Sequence, residues 1–495
     1  MGIYTRCGKL PRTLAVFGLV VCLSTFQSPI FAADEMYQNL TLDQCIEIAL
    51  AEYPPLKNQR ESLLAAESAY RAARGDFLPV LYVNAAQDFG QEIPSTGELR
   101  SSLVSASVEK NFEYGGSLSV VGQGERDDRY ADGEEYASAV SVDFQQPLIE
   151  GFGPDVAAAN LKIAEINKDI AEMVLTDAIR GHILAVTEQY HRVIESERLL
   201  QVRVDAFDRS RDSLERLKIL VTEGEEAEID IATQELQVAG FEENVTQATN
   251  SLRDAKIQLR FLLGVVPEKE VTLAPSPELE IDFTADQPTF TPRPLDMEEL
   301  KNKALERRLD YLQQKRALEN REIAVLVAKN VLLPELGFFA SMGLADSGST
   351  LSRAFHLKEG EWVTGLQFSV PFGLVREREQ YSQARIALRQ SHNNLEQMRR
   401  RILNQVDSSV RSVTTLELRL GSAYRAVKNA QLSEAGAAER YDLGLMSIFD
   451  RAESQAKLTD AEASYVSLFL SYKDALAQLD FTTGEPVERR YGVNL

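Results

Sequence analysis

Two carboxylates late in the sequence have the spacing of a shared binding site. Asp450 and Glu453 are three positions apart, so both side chains would lie on the same face of a helix. Carboxylates gathered in this way attract cations and can make a pore cation-selective. A second acidic group occurs earlier in the chain, where a solvated helix start favoured by the helix dipole is an equally good interpretation. This group consists of Glu225, Glu226, Glu228 and Asp230.

No residues with the spacing of a catalytic or metal site accompany these carboxylates. The stretch GQGERDD lacks the lysine and the following helix of a phosphate-binding loop. No nucleophile is paired with a base, which argues against an envelope hydrolase. The histidines lie on separate segments without metal-ligand spacing, and we therefore predict no enzyme, no cofactor and no metal. They are His182, His191, His356 and His392.

The sequence around the acidic groups occurs in two related copies along the chain. Matched positions in the stretches 41–81 and 294–336 are a constant 255 residues apart, and matched positions in the later parts are 220 apart. Two copies of one long unit predict a pseudo-symmetric protein. Matched pairs include Ala49 and Ala304, Pro79 and Pro334, Gly224 and Gly444, Asp230 and Asp450, and Gly264 and Gly484.

The N-terminus predicts export from the cytoplasm. Three basic residues precede an apolar run from Leu14 to Leu23, and the small residues Ala32 and Ala33 follow, as in a secretory signal peptide covering residues 1–33. After its removal Cys45 is the only cysteine, so no internal disulfide can form. The chain has 75 acidic and 53 basic residues, and this acidic balance argues against a nucleic-acid partner.

Between the predicted helices lie segments with the alternation of β-strands. Val140, Val142 and Phe144 alternate with polar residues, and the segment ending at Phe368 does the same. Beyond the signal peptide no run of 18 apolar residues occurs, so a membrane-spanning part would have to be a barrel. Soluble hairpins show the same alternation, but the position between helices in both copies favours the membrane interpretation.

Two segments predict unusually long helices. Residues 154–223 and 374–443 contain no internal proline, and each would extend roughly 100 Å. No ordinary domain core requires such length, so these helices would project as a coiled coil or line a tube. A plain antiparallel coiled coil would leave the strands and the duplication unexplained.

Several motifs of this chain resemble those of TolC-type outer-membrane efflux channels. The resemblance covers residues 40–484, nearly the whole mature chain, and the doubled architecture makes it specific. The motifs are TLDQCIEIAL at 41–50, QPLIEGFG at 146–153, VPFG at 370–373 and YDLGLMSIFD at 441–450.

The resemblance implies an α+β fold in which a homotrimer forms one outer-membrane β-barrel of twelve strands above a periplasmic tunnel of twelve helices. It implies a passive exit duct of a tripartite efflux or type I secretion system in a Gram-negative bacterium. The partners would be outer-membrane lipid, a periplasmic adaptor and an inner-membrane RND, ABC or MFS transporter, which holds the substrate specificity. A coiled-coil envelope spacer or adhesin without a through-channel is the alternative.

The resemblance also assigns roles at the turns. Asp450 and Glu453 would form an acidic ring at the periplasmic entrance, while Tyr441 and Asp230 would form a hydrogen-bonded latch. The chain departs from the pattern at Met446, where a basic residue usually completes the lock, so a salt-bridged closed state is in question. The adaptor would dock on the exposed tips, with ordinary turn packing as the rival role for the leucines. The docking residues are Gly224, Leu443, Gly444 and Leu445.

These expectations divide the mature chain into two repeats. In the first, the strands span about 80–148 and the hairpin tip lies near 224; in the second, the strands span about 335–371 and the tip lies near 444. The first copy has 31 more residues between Pro79 and Pro147 than the second has between Pro334 and Pro371, which predicts an additional hairpin around Gly115. The boundaries are 34–265 for the first repeat, 266–293 for an equatorial linker, 294–484 for the second repeat and 485–495 for a C-terminal tail.

Overall fold

The computed structural model describes most of the mature chain. The described residues are 37–89, 100–130, 133–276, 279–281, 283, 292–354, 356–370 and 372–491. The predicted signal peptide, much of the linker after residue 276, Pro371 and the last four residues of the tail lie outside them.

Long helices dominate the described residues. Two of them, of 65 and 68 residues, are each followed by a returning helix of 35 residues, so that each pair forms an extended hairpin. The helices are α1 (Leu42–Glu52), α2 (Pro54–Gly75), α3 (Pro154–Ala157), α4 (Ala159–Glu223), α5 (Glu228–Leu262), α6 (Met297–Arg307), α7 (Leu309–Asn330), α8 (Leu351–Ala354), α9 (Val375–Asp442) and α10 (Ile448–Thr482), followed by a 3₁₀ turn at Val487–Tyr491.

Six strands form one antiparallel sheet in chain order. The first four lie between α2 and α3, and the last two lie between α7 and α9. The predicted additional hairpin is present as β2 and β3, with Gly115 in its turn. The strands are β1 (Val80–Phe89), β2 (Arg100–Asn111), β3 (Ser117–Tyr130), β4 (Gly133–Pro147), β5 (Glu335–Gly348) and β6 (Glu359–Ser369).

The register places a row of apolar residues on one face of this sheet. Partners in an antiparallel pair lie on the same face, so one row crosses all six strands. Every member of that row is apolar and exposed in the single chain. The row runs through Leu81, Val108, Val120, Val142, Met342 and Trp362.

The long helices are held together by apolar stripes of helical period. On α4 the buried side chains recur every three or four residues, as an amphipathic helix requires, and they pack against α10, which packs in turn against α9. Near the sheet the helices pack side by side in the order α2, α4, α7, α9. No helix in the described part of the chain is long and apolar enough to cross a membrane. The stripe on α4 includes Leu175, Ile179, Ile183, Val186, Tyr190 and Val193.

Glycines end the returning helices where another helix end approaches closely. Gly264 has φ +71°, and a Cβ there would lie 2.9 Å from the carbonyl of Glu52 at the end of α1. Gly484 has φ +73°, and its Cβ would lie 2.9 Å from the carbonyl carbon of Arg307 at the end of α6. The two glycines therefore have the same conformation and the same kind of close neighbour. A side chain at either position would collide with the backbone of the facing helix end.

Candidate functional site

The predicted site lies at the two turns that join the helical hairpins, far from the sheet. In the first turn, the amide of Gly224 donates to the Val221 carbonyl at 3.1 Å, and the amide of Glu225 donates to Leu220 at 2.9 Å. These two bonds define a Schellman ending, for which a left-handed residue is needed, and Gly224 has φ +80°. The first turn thus ends α4 with two backbone hydrogen bonds around a left-handed glycine.

The second turn repeats this backbone arrangement. The amide of Gly444 donates to the Tyr441 carbonyl at 2.9 Å, and the amide of Leu445 donates to Arg440 at 2.8 Å. Gly444 has φ +67°. The backbone therefore brings Tyr441, the docking leucines and the start of α10 together at one tip.

Tyr441, the predicted latch residue, points into its own protomer. Its ring packs with Leu217 and Ile448 in a small apolar cluster, and only 7% of the residue is exposed. The buried hydroxyl makes no hydrogen bond to Asp230 or to any other described residue. Burial raises the pKa of Tyr441, and the nearby Glu226 carboxylate raises that pKa further, so the phenol stays protonated and can act only as a donor or neutral acceptor near neutral pH.

A buried arginine that sequence reasoning missed lies against this ring. The guanidinium carbon of Arg451 is 5.0 Å from the centroid of the Tyr441 ring, a cation–π geometry. The residue is 8% exposed, and its Nε and Nη1 have no hydrogen-bond partner in the described part of the chain. No spacing pattern links Arg451 to Tyr441, because the two face each other only across the turn. Arg451 supplies a positive charge at the tip that Met446 does not.

The two carboxylates of the predicted ring are both exposed, and both are engaged. The Asp450 carboxylate accepts from the Ser447 hydroxyl at 2.8 Å, while the Asp450 amide donates back to that hydroxyl at 3.2 Å. This arrangement caps α10. Glu453 forms an ion pair with Lys457 at 2.7 Å, a contact that the four-residue spacing could have predicted. The net negative charge of this tip is therefore smaller than its carboxylates alone suggest.

The remaining acidic residues lie at the first turn. Glu228 and Asp230 occupy the first turn of α5, where negative charge is favoured by the helix dipole. The amide of Asp230 donates to the Ala227 carbonyl at 3.0 Å. Among the described residues no group of His, Cys, Asp or Glu could hold a metal ion.

The second tip also carries an apolar surface. Leu443 and Leu445 are 66% and 75% exposed, so neither leucine packs within the turn. Phe449, which sequence reasoning did not single out, is 65% exposed one residue before Asp450. We call these three residues the apolar tip. Large exposed apolar side chains gathered at the end of a helical hairpin are typical of a docking surface.

The fold is that of bacterial outer-membrane channels. The structure of CusC, described as a protein that forms a transmembrane channel, matches with a TM-score of 0.68 and 16% identity over 90% of this chain and 92% of that one. The open-state MtrE outer membrane channel of Neisseria gonorrhoeae matches with a TM-score of 0.68 and 15% identity over 90% and 88%. The outer membrane protein VceC of Vibrio cholerae matches with a TM-score of 0.66 and 17% identity over 90% and 96%.

Part of the sequence also matches the profile of a protein family. Residues 300–485 match the profile of the family described as outer membrane efflux protein. With the fold, this match confirms the resemblance to TolC-type outer-membrane efflux proteins, a family of channels and not of enzymes. No curated protein has significant similarity to the sequence.

Proposed function

We propose that the protein is the outer-membrane exit duct of an efflux or type I secretion system, a passive trimeric channel. The observation that carries this proposal is a sheet crossed by a row of exposed apolar residues on all six strands and joined directly to helices about 100 Å long. An apolar face of this kind fits lipid, and paired helices of this length suit a tube across the periplasm. The family match of residues 300–485 supports the same function.

The open edges of the sheet support closure by further copies of the chain. Strands β1 and β6 are the outer strands of the six, and they run in opposite directions because the sheet is antiparallel throughout. Strand β6 of one protomer can therefore pair with β1 of the next in the same antiparallel sense. Unpaired edges are not tolerated in lipid, so closure by further copies is a physical requirement.

This arrangement places the two internal repeats around the duct. The first repeat would cover residues 34–265 and the second residues 294–484, with the strands in the outer membrane of a Gram-negative bacterium and the tips deep in the periplasm. A periplasmic adaptor would dock on the apolar tip, and an inner-membrane RND, ABC or MFS transporter would load the cargo. The duct itself performs no chemistry.

The tips would form the entrance, with Asp450 and Glu453 as an acidic ring and Tyr441 with Asp230 as the latch. In the single chain the Tyr441 hydroxyl is buried and unpartnered, so the bond requires movement of Tyr441 out of its apolar cluster or of a carboxylate towards it. A phenol and a carboxylate form a charge-assisted bond that can open without chemical change, which suits a gate. Arg451 provides a basic group beside this latch.

Two measurements test the proposal. Native mass spectrometry of detergent-extracted protein should give a trimer, and planar bilayers should give discrete single-channel currents for the wild type or for tip variants that open it. A stable folded monomer would contradict closure by three copies. A trimer without conductance, even with its tip residues substituted, would favour the coiled-coil spacer instead.

A further inference from the structure

The sheet has six strands, but only four of them join helices in the described part of the chain. Four strands join helices directly, because α2 leads into β1, β4 leads towards α4, α7 leads into β5, and β6 leads into α9. These four helices pack side by side in the same order as their strands. In the described part of the chain β2 and β3 join no helix, and they lie between β1 and β4 as an inserted hairpin. The resemblance implies twelve strands in a trimer, which is four per protomer, so it does not include this hairpin in the wall.

The turn of the inserted hairpin is fixed at the helical end of the sheet. Gly115 has φ +92°, and a Cβ at that position would lie 2.2 Å from the carbonyl oxygen of Gly151. The Tyr114 carbonyl accepts from the Gly153 amide at 3.2 Å and from the Gln146 side chain at 3.2 Å. The hairpin is therefore attached to the junction through which β4 leads into the long helix.

The inserted hairpin has the two faces of a barrel wall. On its apolar face Val108 pairs with Val120, and this pair continues the apolar row from β1 to β4. On its other face Glu109 pairs with Ser119, which pairs with Asp143 of β4. The hairpin strands have 12 and 14 residues, enough to span a membrane, for which about 9 to 11 tilted residues suffice.

The circumference of the duct favours keeping this hairpin in the wall. Twelve helices at about 9 Å spacing have a circumference of roughly 110 Å. Eighteen strands at about 4.8 Å spacing and about 40° tilt also have a circumference of roughly 110 Å, whereas twelve strands have only about 75 Å. A wall of eighteen strands therefore continues the helical tunnel without narrowing.

We propose that the trimer forms an eighteen-stranded outer-membrane barrel in which β2 and β3 of each protomer are wall strands, so that the exit is as wide as the helical tunnel. This inference rests on the proposed function, because it needs three copies to close the sheet. A barrel about 1.5-fold wider than a twelve-stranded one has more than twice its cross-section. The outer-membrane end would then set no size limit of its own, and the duct could pass bulky cargo such as partly folded polypeptide.

Imaging the trimer by electron microscopy gives the direct test, with a strand-excision variant as its comparison. Deleting residues 100–130 joins β1 to β4 through residues 90–99, 131 and 132, and it keeps Leu81 and Val142 on the same face. We expect eighteen strands in the wild type and a barrel about 1.5-fold narrower in the variant. A wild-type trimer with a twelve-stranded wall and the hairpin outside it would overturn the inference and leave the exit duct intact, whereas the absence of a trimer would overturn the proposed function.

Thiol labelling in proteoliposomes tests the same point without an excision. Val120→Cys should react only with a membrane-soluble maleimide, and Ser119→Cys should react with a water-soluble reagent from the lumen. The pair Val142→Cys and Ser141→Cys on β4 is the matched control. The native thiol is no competitor, because Cys45 is buried and burial raises its pKa to about 12. If Val120→Cys reacts with the water-soluble reagent as readily as Ser119→Cys does, the hairpin is not in the wall.

Discussion

The two tips of the molecule share a backbone and differ in almost everything that the backbone carries. Both helical turns end in a left-handed glycine with the same pair of hydrogen bonds. Both tips carry acidic residues at the start of the returning helix, and the second tip adds a buried Tyr441 and Arg451 beside the exposed apolar tip. The two turns thus share one backbone arrangement, and most of the residues proposed for docking and gating lie at the second.

The largest expected effect of the difference between the two tips is on adaptor docking. Replacing Leu443 and Leu445 by aspartate should remove the adaptor-binding surface, because burying each leucine contributes about 1.5 to 3 kcal/mol. We expect at least a hundredfold loss of affinity for the cell's own periplasmic adaptor, measured as its recovery after cross-linking in native membranes. Leu432→Asp, on an equally exposed side chain of α9 away from the turn, is the control.

The same substitutions at the first tip test whether docking depends mainly on the second tip. Ile219 and Ile229 are also exposed there, 57% and 71%. If docking is concentrated on the second tip, their replacement by aspartate should reduce adaptor recovery much less than the leucine changes do. Equal losses of adaptor recovery at both tips would mean that the adaptor binds the two tips equally.

Gating should depend on Tyr441, the part of the proposed latch that lies at the second tip. Tyr441→Phe removes the only hydroxyl of the proposed latch, and a hydrogen bond to a charged group is worth roughly 1.5 to 3 kcal/mol, so open probability should rise about tenfold or more. Bilayer recordings measure this directly. Tyr381→Phe is the matched control, because Tyr381 also lies under an arginine, Arg385 at 5.7 Å, but at the sheet end of α9.

Arg451→Gln separates two forms of this gate. If the latch is the phenol, Arg451→Gln should change open probability less than Tyr441→Phe does. If Tyr441→Phe behaves as the wild type while Arg451→Gln opens the duct, the buried guanidinium is the residue that holds the entrance closed. Trimer stability should be unchanged in both variants, and its loss would identify the pair as packing residues.

Ion selectivity should respond more weakly. Asp450→Asn with Glu453→Gln should lower the cation preference of the open duct, and Lys457→Gln should raise it, because Lys457 neutralises Glu453 in the structure. The changes in permeability ratio should be only about two- to threefold, since exposed ion pairs contribute about 0 to 1 kcal/mol. Asp460→Asn, an exposed carboxylate farther along α10, should have no effect. An unchanged ratio in the double variant would refute the acidic ring.

The sequence predicted what depends on local pattern and missed what depends on contacts across the turn. Gly224 and Gly444 could be matched because a helix ending restricts residue type, and the alternation at Val140 and Val142 follows from strand geometry. The contact between Arg451 and Tyr441 could not be predicted, because nothing in their spacing indicates that the two side chains stack.

The inserted hairpin shows the same limit for a larger element. The extra residues around Gly115 predicted its existence, because a length difference between two copies is visible in the sequence. Its place between β1 and β4 is a long-range pairing, and the length difference alone carries no information about register. The sequence also could not show that Tyr441 points inward, since a tyrosine at a helix end is compatible with either direction.

The smallest expected effect tests whether the two backbones are truly equivalent. Gly224→Ala and Gly444→Ala should each destabilise their turn by roughly 1 to 2 kcal/mol, because both glycines have positive φ and neither has an atom within 4 Å of the new Cβ. Hydrogen exchange of the amides of Glu225 and Leu445, which close the two turns, measures this locally. Gly240→Ala in α5 and Gly436→Ala in α9 are the controls, and they should stabilise their helices by about 1 kcal/mol. Markedly unequal costs at Gly224 and Gly444 would mean that the side chains of the second tip, and not a shared backbone, hold its turn in place.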